Sequence, residues 1–452
     1  MTNKNNTLAD KSLLSLTWPI FIDLFFIFMI NVTDAWFLSR ISDNAAAAAG
    51  AMLPILGIGF AFYSTFHQAG NSIAGQRIGA KDHEKVAGTY GILILLLLIA
   101  GLFMASMFFL GANTFASWMG LSGEISEMSQ VYLSTLGLGT WVLALRFATN
   151  SILASQGKTK WNMWSTTLMS LVNIIGNYIL IDGKFGAPAM GIQGIAIASI
   201  IAWFSSLLFN ISIIVYHFKV SIVFPRSYSA IKEHGFPVVK IAAPSIIEPL
   251  SWQLVQLLMT TMVVVMGATS LATRIYCFNI IYIGILYGFA ISAGIQLKVA
   301  YLMGANKYEN AQKELVKGVK IGLIGIVIFL ICIISFSQLL FQVFTNNQEI
   351  WLLGSTILLI SIFSEIGRSL NLIVGASLRA CGDAKFTSII GFTSMWFVAL
   401  PLAWYFGIYL SWGLIGIYIG ASLDEVLRGT SNILRWNSGR WQSKGLYAKK
   451  TS

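Results

Sequence analysis

Residues 13–38 read LLSLTWPIFIDLFFIFMINVTDAWFL. The run is long enough to cross a bilayer as a helix, which takes roughly 20 mostly apolar residues. It also holds two aspartates, Asp23 and Asp34. A charge at the bilayer centre costs about 2.5–3.5 kcal/mol on insertion scales, so such groups face a cavity or a partner. Asp23 and Asp34 stand eleven residues apart. That is close to three helical turns, which projects both from one face roughly 16 Å apart. One stripe of this first helix is therefore polar.

The rest of the chain repeats the greasy pattern. Hydrophobic residues make up 56% of the 452, charged ones only 10%, and mean hydropathy is +0.74. A soluble domain is about one quarter charged. Twelve apolar runs follow one another near 13–37, 51–75, 88–112, 127–152, 162–181, 191–216, 238–266, 271–297, 321–343, 351–378, 386–408 and 411–434. They lack the period-two alternation of outer-membrane strands. The reading is an all-α polytopic membrane protein with twelve transmembrane helices. The first run is longer than a signal-peptide core and lacks a cleavage site after it, so it is expected to remain as a span.

The net charge of +11 follows the topology. All but five of the 29 basic residues fall on the side that carries both termini, the exceptions being Arg40, Arg146, Lys184, Arg274 and Arg368. The positive-inside rule then places both termini in the cytoplasm. The expected location is the inner (plasma) membrane, with lipid as surroundings and no nucleic-acid partner.

The chain is written twice. A shift of 225 residues lays Pro19 on Pro244, Asp23 on Glu248, Gly79 and Ala80 on Gly304 and Ala305, Gly157 on Gly382, and Lys160 on Lys385. Six spans per half is an even number, so the halves form two parallel six-helix repeats about an axis along the membrane normal. The expected division is a first lobe at 1–220, a basic connector at 221–235, a second lobe at 236–437 and a cytoplasmic tail at 438–452. Duplication of this kind is the usual trace of alternating access.

Further polar groups lie at membrane depth. Asn173 and Asn177, four apart in LVNIIGNYILIDGKFG, share a helix face. With a carboxylate they make hard oxygen ligands, suited to a small cation or a proton. Asn side chains also serve as interhelical hydrogen-bonding groups. Arg146 is a ready partner for Asp23. In the second half Glu365, Arg368 and Asn371 fall at i, i+3 and i+6, and Glu248 is placed to share Arg368. These residues, with Asp23 and Arg146, read as a secondary polar network. Asp424, Glu425 and Arg428 form a further charged cluster, in which Asp424 and Arg428, at i and i+4, read as a structural pair, and His67 reads as a satisfied polar contact. Phosphate loops, nucleotide fingerprints, catalytic triads and zinc signatures are all missing from the sequence. The three cysteines, Cys277, Cys332 and Cys381, form no ligand-spaced set. The chain is thus expected to be no enzyme, with no cofactor and no bound metal as part of its make-up.

Five stretches carry a family likeness: VTDAWFLSRISDNAAAAAG (32–50), GQRIGAKDHEKV (75–86), ASQGKTKWNM (154–163), VNIIGNYILIDGKFGAPAMGIQGIAIAS (172–199) and ASLRACGDAKF (376–386). Together they resemble the multidrug and toxic compound extrusion (MATE) transporters, NorM-like in the first lobe. The resemblance implies V-shaped lobes. It also implies a monomeric secondary antiporter that exports bulky organic, often cationic, compounds in exchange for H+ or Na+. On that likeness Asp34 matches the coupling acid of the first span, and Asn173 and Asn177 match the polar fifth-span positions beside it. The second lobe departs from the pattern. Arg368 stands where the NorM branch has an acid on the tenth span, and Trp252 where it has one on the seventh. The alternative within the same superfamily is a flippase for lipids or lipid-linked oligosaccharides.

Overall fold

The structure, a computed structural model, describes residue 8 and residues 10–448. Lys4, Lys449 and Lys450, counted in the charge asymmetry, lie outside the described residues, as do the ends of the expected amino-terminal and tail segments.

Every regular element among the described residues is helical. The first six rods are α1 (Leu13–Ile41), α2 (Asp43–Gly79), α3 (His83–Trp118), α4 (Gly123–Ser155), α5 (Thr159–Leu180) and α6 (Gly191–Ser212). The second six begin with α7, in two pieces (Tyr228–Ser245 and Ile247–Val265), followed by α8 (Ala268–Gly304). Next come α9 (Tyr308–Ser335), α10 (Gln348–Ala380), α11 (from Ala384–Ser394 through wider turns to Tyr405–Tyr409) and α12 (Gly413–Asn437). With these twelve rods the chain is an all-α polytopic membrane protein.

Local chemistry sets the ends of several rods. The Ser42 hydroxyl accepts from the Ala45 amide at 3.0 Å at the start of α2. Asp82 accepts from the Lys85 amide at 3.3 Å at the start of α3, and Asn347 from Glu349 at 2.9 Å at the start of α10. Each satisfies one of the orphan donors of a first helical turn. The bounds of α2 and α8 differ by 225 at both ends, so the shift seen in the sequence is a shift of whole helices.

The chain forms two compact units, one of residues 18–240 and one of residues 1–17 with 241–452. We call them the first and second lobe. These limits differ from the expected breaks at 220 and 236, because the connector is bound into the first lobe. The Val223 amide donates to the Ala87 carbonyl at 3.1 Å. Gly91 leaves no room for a side chain against the Val223 backbone. Arg77 Nη2 donates to the Glu233 carbonyl at 3.0 Å. The segment before Trp18 is bound into the second lobe in a similar way. The buried Lys298 donates to the Lys11 carbonyl at 2.9 Å and pairs with Glu314 at 2.9 Å.

Within the second lobe, Val255, Met259, Cys277, Ile357 and Ile417 belong to one apolar core. A second core lies around Ile295, Leu378 and Trp441.

Candidate functional site

In the first lobe α1 and α5 meet in register at two levels. At one level Asn177 Nδ2 donates to Asp34 Oδ1 at 2.6 Å and to Asn173 Oδ1 at 3.3 Å. Asn173 Nδ2 in turn donates to Ser199 Oγ on α6 at 3.2 Å. Asn173 and Asn177 are fully buried. All three residues expected at the coupling site are therefore joined in one hydrogen-bonded chain, with Ser199 added. A carboxylate held by amide and hydroxyl groups, without a basic partner in this chain of contacts, can take up a proton or a small hard cation.

Eleven residues earlier in the chain, α5 presents Thr166, whose hydroxyl donates to Asp23. The Arg146 guanidinium donates to the same hydroxyl through Nη2 and to Ser206 Oγ through Nε at 2.8 Å. Arg146 Nη2 lies 3.9 Å from Asp23 Oδ1. Asp23 thus belongs to a buried ion pair bridged by a hydroxyl. His67 lies on another branch of the same lobe. Its Nδ1 is 3.1 Å from the Phe147 carbonyl and its Nε2 3.1 Å from Asn71 Nδ2, so both ring nitrogens are occupied.

The second lobe gathers Glu365, Arg368 and Asn371, but Glu248 does not share Arg368. Arg368 pairs with Glu365 at 2.9 Å and with Glu425 at 3.1 Å. Glu248 instead meets Arg379 at 3.2 Å and Arg428 at 3.5 Å. The reason is depth: Arg379 lies in the last turn of α10, three turns beyond Arg368, level with the start of the second piece of α7. Arg428 also binds Asp424 at 2.7 Å and Glu425 at 2.9 Å. Asn371 donates to Glu425 at 3.3 Å.

The network therefore joins four carboxylates to three guanidinium groups. A small cavity of about 20 Å³ opens beside it, lined by Trp252, Met259, Arg368, Met395, Asp424 and Glu425 among others. Among the described residues, no group of three or more His, Cys, Asp or Glu side chains is placed to hold a metal ion.

Sequence reasoning missed Thr166, Ser206, Ser199 and Arg379 as members of these networks. One signal was available for Thr166. The step of eleven between Asp23 and Asp34 recurs between Thr166 and Asn177 on α5.

The duplication sharpens the contrast between lobes. At the 225-residue shift Asp34, Asn173 and Asn177 fall on Met259, Val398 and Leu402. The polar level of Asp34 exists in the first lobe and has an apolar counterpart in the second.

Comparison with known proteins agrees with this layout. The family profile MatE matches residues 19–179 and again 244–405, two segments whose starts are 225 residues apart. A relative described as the uncharacterized transporter YisQ of Bacillus subtilis (strain 168) is 34% identical over 442 residues, 97% of each chain. A probable multidrug resistance protein NorM of Thermotoga maritima is 23% identical over 449 residues, 97% of this chain and 95% of the other. Among solved structures, a MOP superfamily transporter from Pyrococcus furiosus matches with a TM-score of 0.88 at 20% identity. The match covers 98% of this chain and 99% of that one, a likeness of fold. Matched in both of its halves, the chain belongs to the MatE family, the multi-pass membrane transporters known as MATE proteins.

Proposed function

We propose that this protein is a secondary active antiporter of the plasma membrane. It exports bulky organic, often cationic, compounds in exchange for H+ or Na+ by alternating access, with both termini in the cytoplasm. The observation that carries the reading is the contact of Asp34 with Asn177 and, through it, Asn173. This is an ionisable group held by neutral oxygen and amide groups at membrane depth, at a level whose duplicate (Met259, Val398 and Leu402) is apolar. Coupling then runs through occupancy of Asp34. A bound cation or proton favours one arrangement of the transporter and the organic substrate favours the other, which requires each ligand to bind the two states unequally. Glu248, Glu365, Arg368 and Asn371, with Asp424, Glu425, Arg379 and Arg428, serve as a second polar network that holds its lobe together. Asp23 and Arg146 do so in the first.

The test is Asp34→Asn. Purified protein is placed in liposomes with ethidium as the transported probe, under an imposed Na+ gradient or an imposed pH gradient. The wild type should export under one of the two. The variant, eluting as a single folded species, should export under neither. Export by Asp34→Asn at the wild-type rate sinks the reading.

A further inference from the structure

The buried face of α5 is polar along almost its whole length. Thr159, Asn162, Thr166, Ser170, Asn173 and Asn177 are all buried and succeed one another at steps of three or four residues. They form one stripe. Eighteen residues of helix span about 27 Å, close to the roughly 30 Å of a hydrocarbon core. On α6 Ser199 and Ser206 face it, and Asn210 faces α4; all three are buried. Contacts between the two helices and α4 recur at each level. Asn173 meets Ser199 at 3.2 Å. Ser165 Oγ meets Ser206 Oγ at 2.6 Å. At the other end Asn210 donates to Asn150 Oδ1 at 2.7 Å, and Asn162 donates to the Asn150 carbonyl at 3.0 Å.

Adhesion between helices does not account for this seam. Small residues already allow close packing in membranes, and interhelical hydrogen bonds add little to it. Two further facts point to a path for ions. First, the side-chain oxygens Asn177 Oδ1, Asn162 Oδ1 and Asn210 Oδ1 are buried without a partner among the described residues. They lie above and below the level of Thr166. Unpartnered buried acceptors of this kind are places for water. Second, the middle of the seam, between those two sets, is where the Arg146 guanidinium reaches Ser206 and Thr166.

We propose that the α5–α6 seam is a hydratable path through the first lobe, and that Arg146 is the fixed positive charge that closes it. In membrane pores a single arginine or a helix dipole excludes protons and cations by the same means. Arg146 keeps the ion or proton held at the level of Asp34 from passing through the lobe, so that exchange is confined to the transport cycle. Asp23 is a positioning residue: through Thr166 it holds the guanidinium across the seam and compensates its burial. This inference rests on the coupling role of Asp34 but is tested without any organic substrate.

The experiment uses full-length protein in liposomes, with a valinomycin-set K+ diffusion potential (inside negative) and trapped pyranine as the reporter of proton entry. The pair is removed together, as Asp23→Asn with Arg146→Met, so that no lone charge is left buried. That double variant should admit protons about tenfold faster than the wild type or more. Adding Asn162→Leu and Asn210→Leu should restore tightness. Arg146→Lys, which keeps the charge, should stay as tight as the wild type. Should the double variant fail to fold, Asp23→Asn with Arg146→Gln retains hydrogen-bonding donors and takes its place.

A folded, charge-free variant as tight as the wild type overturns the inference. So does a leak that persists when the seam is filled with leucine. A tight charge-free variant alongside loss of export in Asp34→Asn overturns this inference alone. A leaky one alongside normal export in Asp34→Asn overturns only the coupling site.

Discussion

Asn177 holds Asp34 at 2.6 Å, and the same two helices meet again eleven residues earlier in the chain, where Thr166 holds Asp23. The two acids differ in what stands behind that contact. Asp23 has a guanidinium within 3.9 Å, whereas Asp34 has amides and a hydroxyl. A hydrogen bond to a charged group contributes about 1.5–3 kcal/mol, and every 1.4 kcal/mol is about tenfold in affinity. Asn177→Leu, which copies the duplicate position Leu402, should therefore lower ion-driven export about tenfold or more without loss of folded protein. Initial rates of ethidium export against the driving gradient measure this. An unchanged rate and ion dependence would show that the contact has no part in coupling.

Much of this architecture was legible in the chain. Hydrophobic runs of spanning length gave the helices, and the constant shift of 225 gave the duplication, because both depend on spacing that survives substitution. The polar level of Asp34 was legible for a similar reason: an acid and two amides in an apolar background have few uses there. The networks were less so. Thr166 is one of many hydroxyls that bond their own helix, as Thr33 does to the Met29 carbonyl at 3.0 Å, and only packing against α1 gives it a partner. Arg379 sits in the last turn of α10 and reads as a cytoplasmic charge, yet it folds back onto Glu248. The lobe boundaries were hidden because they depend on where Lys298 and Arg77 bind backbone carbonyls distant in sequence.

The charge balance of the second lobe separates two substitutions that look alike. Arg428 serves Asp424, Glu425 and Glu248. Removing one partner of a buried ion pair costs about 3–5 kcal/mol. Arg428→Met should accordingly produce a large fall in melting temperature in detergent. Glu365→Gln removes one carboxylate from a network that has one in excess, and Arg368 keeps Glu425. Its melting temperature should stay close to the wild-type value or rise. Equal losses in the two variants would contradict the balance.

The same network depends on a close approach of backbones. A Cβ on Gly367 of α10 would stand 2.7 Å from the Val426 nitrogen and 2.8 Å from the Glu425 carbonyl carbon of α12. Backbone cannot yield as a side-chain tip does, and overpacking costs about 1–3 kcal/mol. Gly367→Ala should lower the melting temperature. Gly50 in α2 has nothing within 4 Å of such a Cβ. There the change to Ala should be neutral or stabilising, by up to about 1 kcal/mol from helix propensity. The pair of melting curves checks both, and a stable Gly367→Ala protein would mean that the helices can separate at no cost.

Outside the apolar runs, His234 offers a pH test. Arg77 Nη1 lies 3.0 Å from His234 Nδ1, and the ring rests on Gly88. An arginine has no acceptor, so the ring nitrogen accepts and the imidazole is neutral. Burial, and then the charge of Arg77, hold the proton affinity of His234 below its ordinary value of 6.5; Lys85 acts in the same direction, and Glu233 and Asp82 oppose it. The unfolded chain takes up the proton near 6.5, and the folded chain only at lower pH. The unfolded state therefore binds more protons as pH falls below about 6.5, and stability falls with it. The contribution of His234 is complete above that value and is lost on acidification. His234→Gln keeps an acceptor for Arg77 and cannot titrate in this range. Between pH 7.5 and pH 5.5 the melting temperature of the wild type should drop further than that of His234→Gln. Parallel curves over that interval would show that the Arg77 contact does not depend on the protonation of His234.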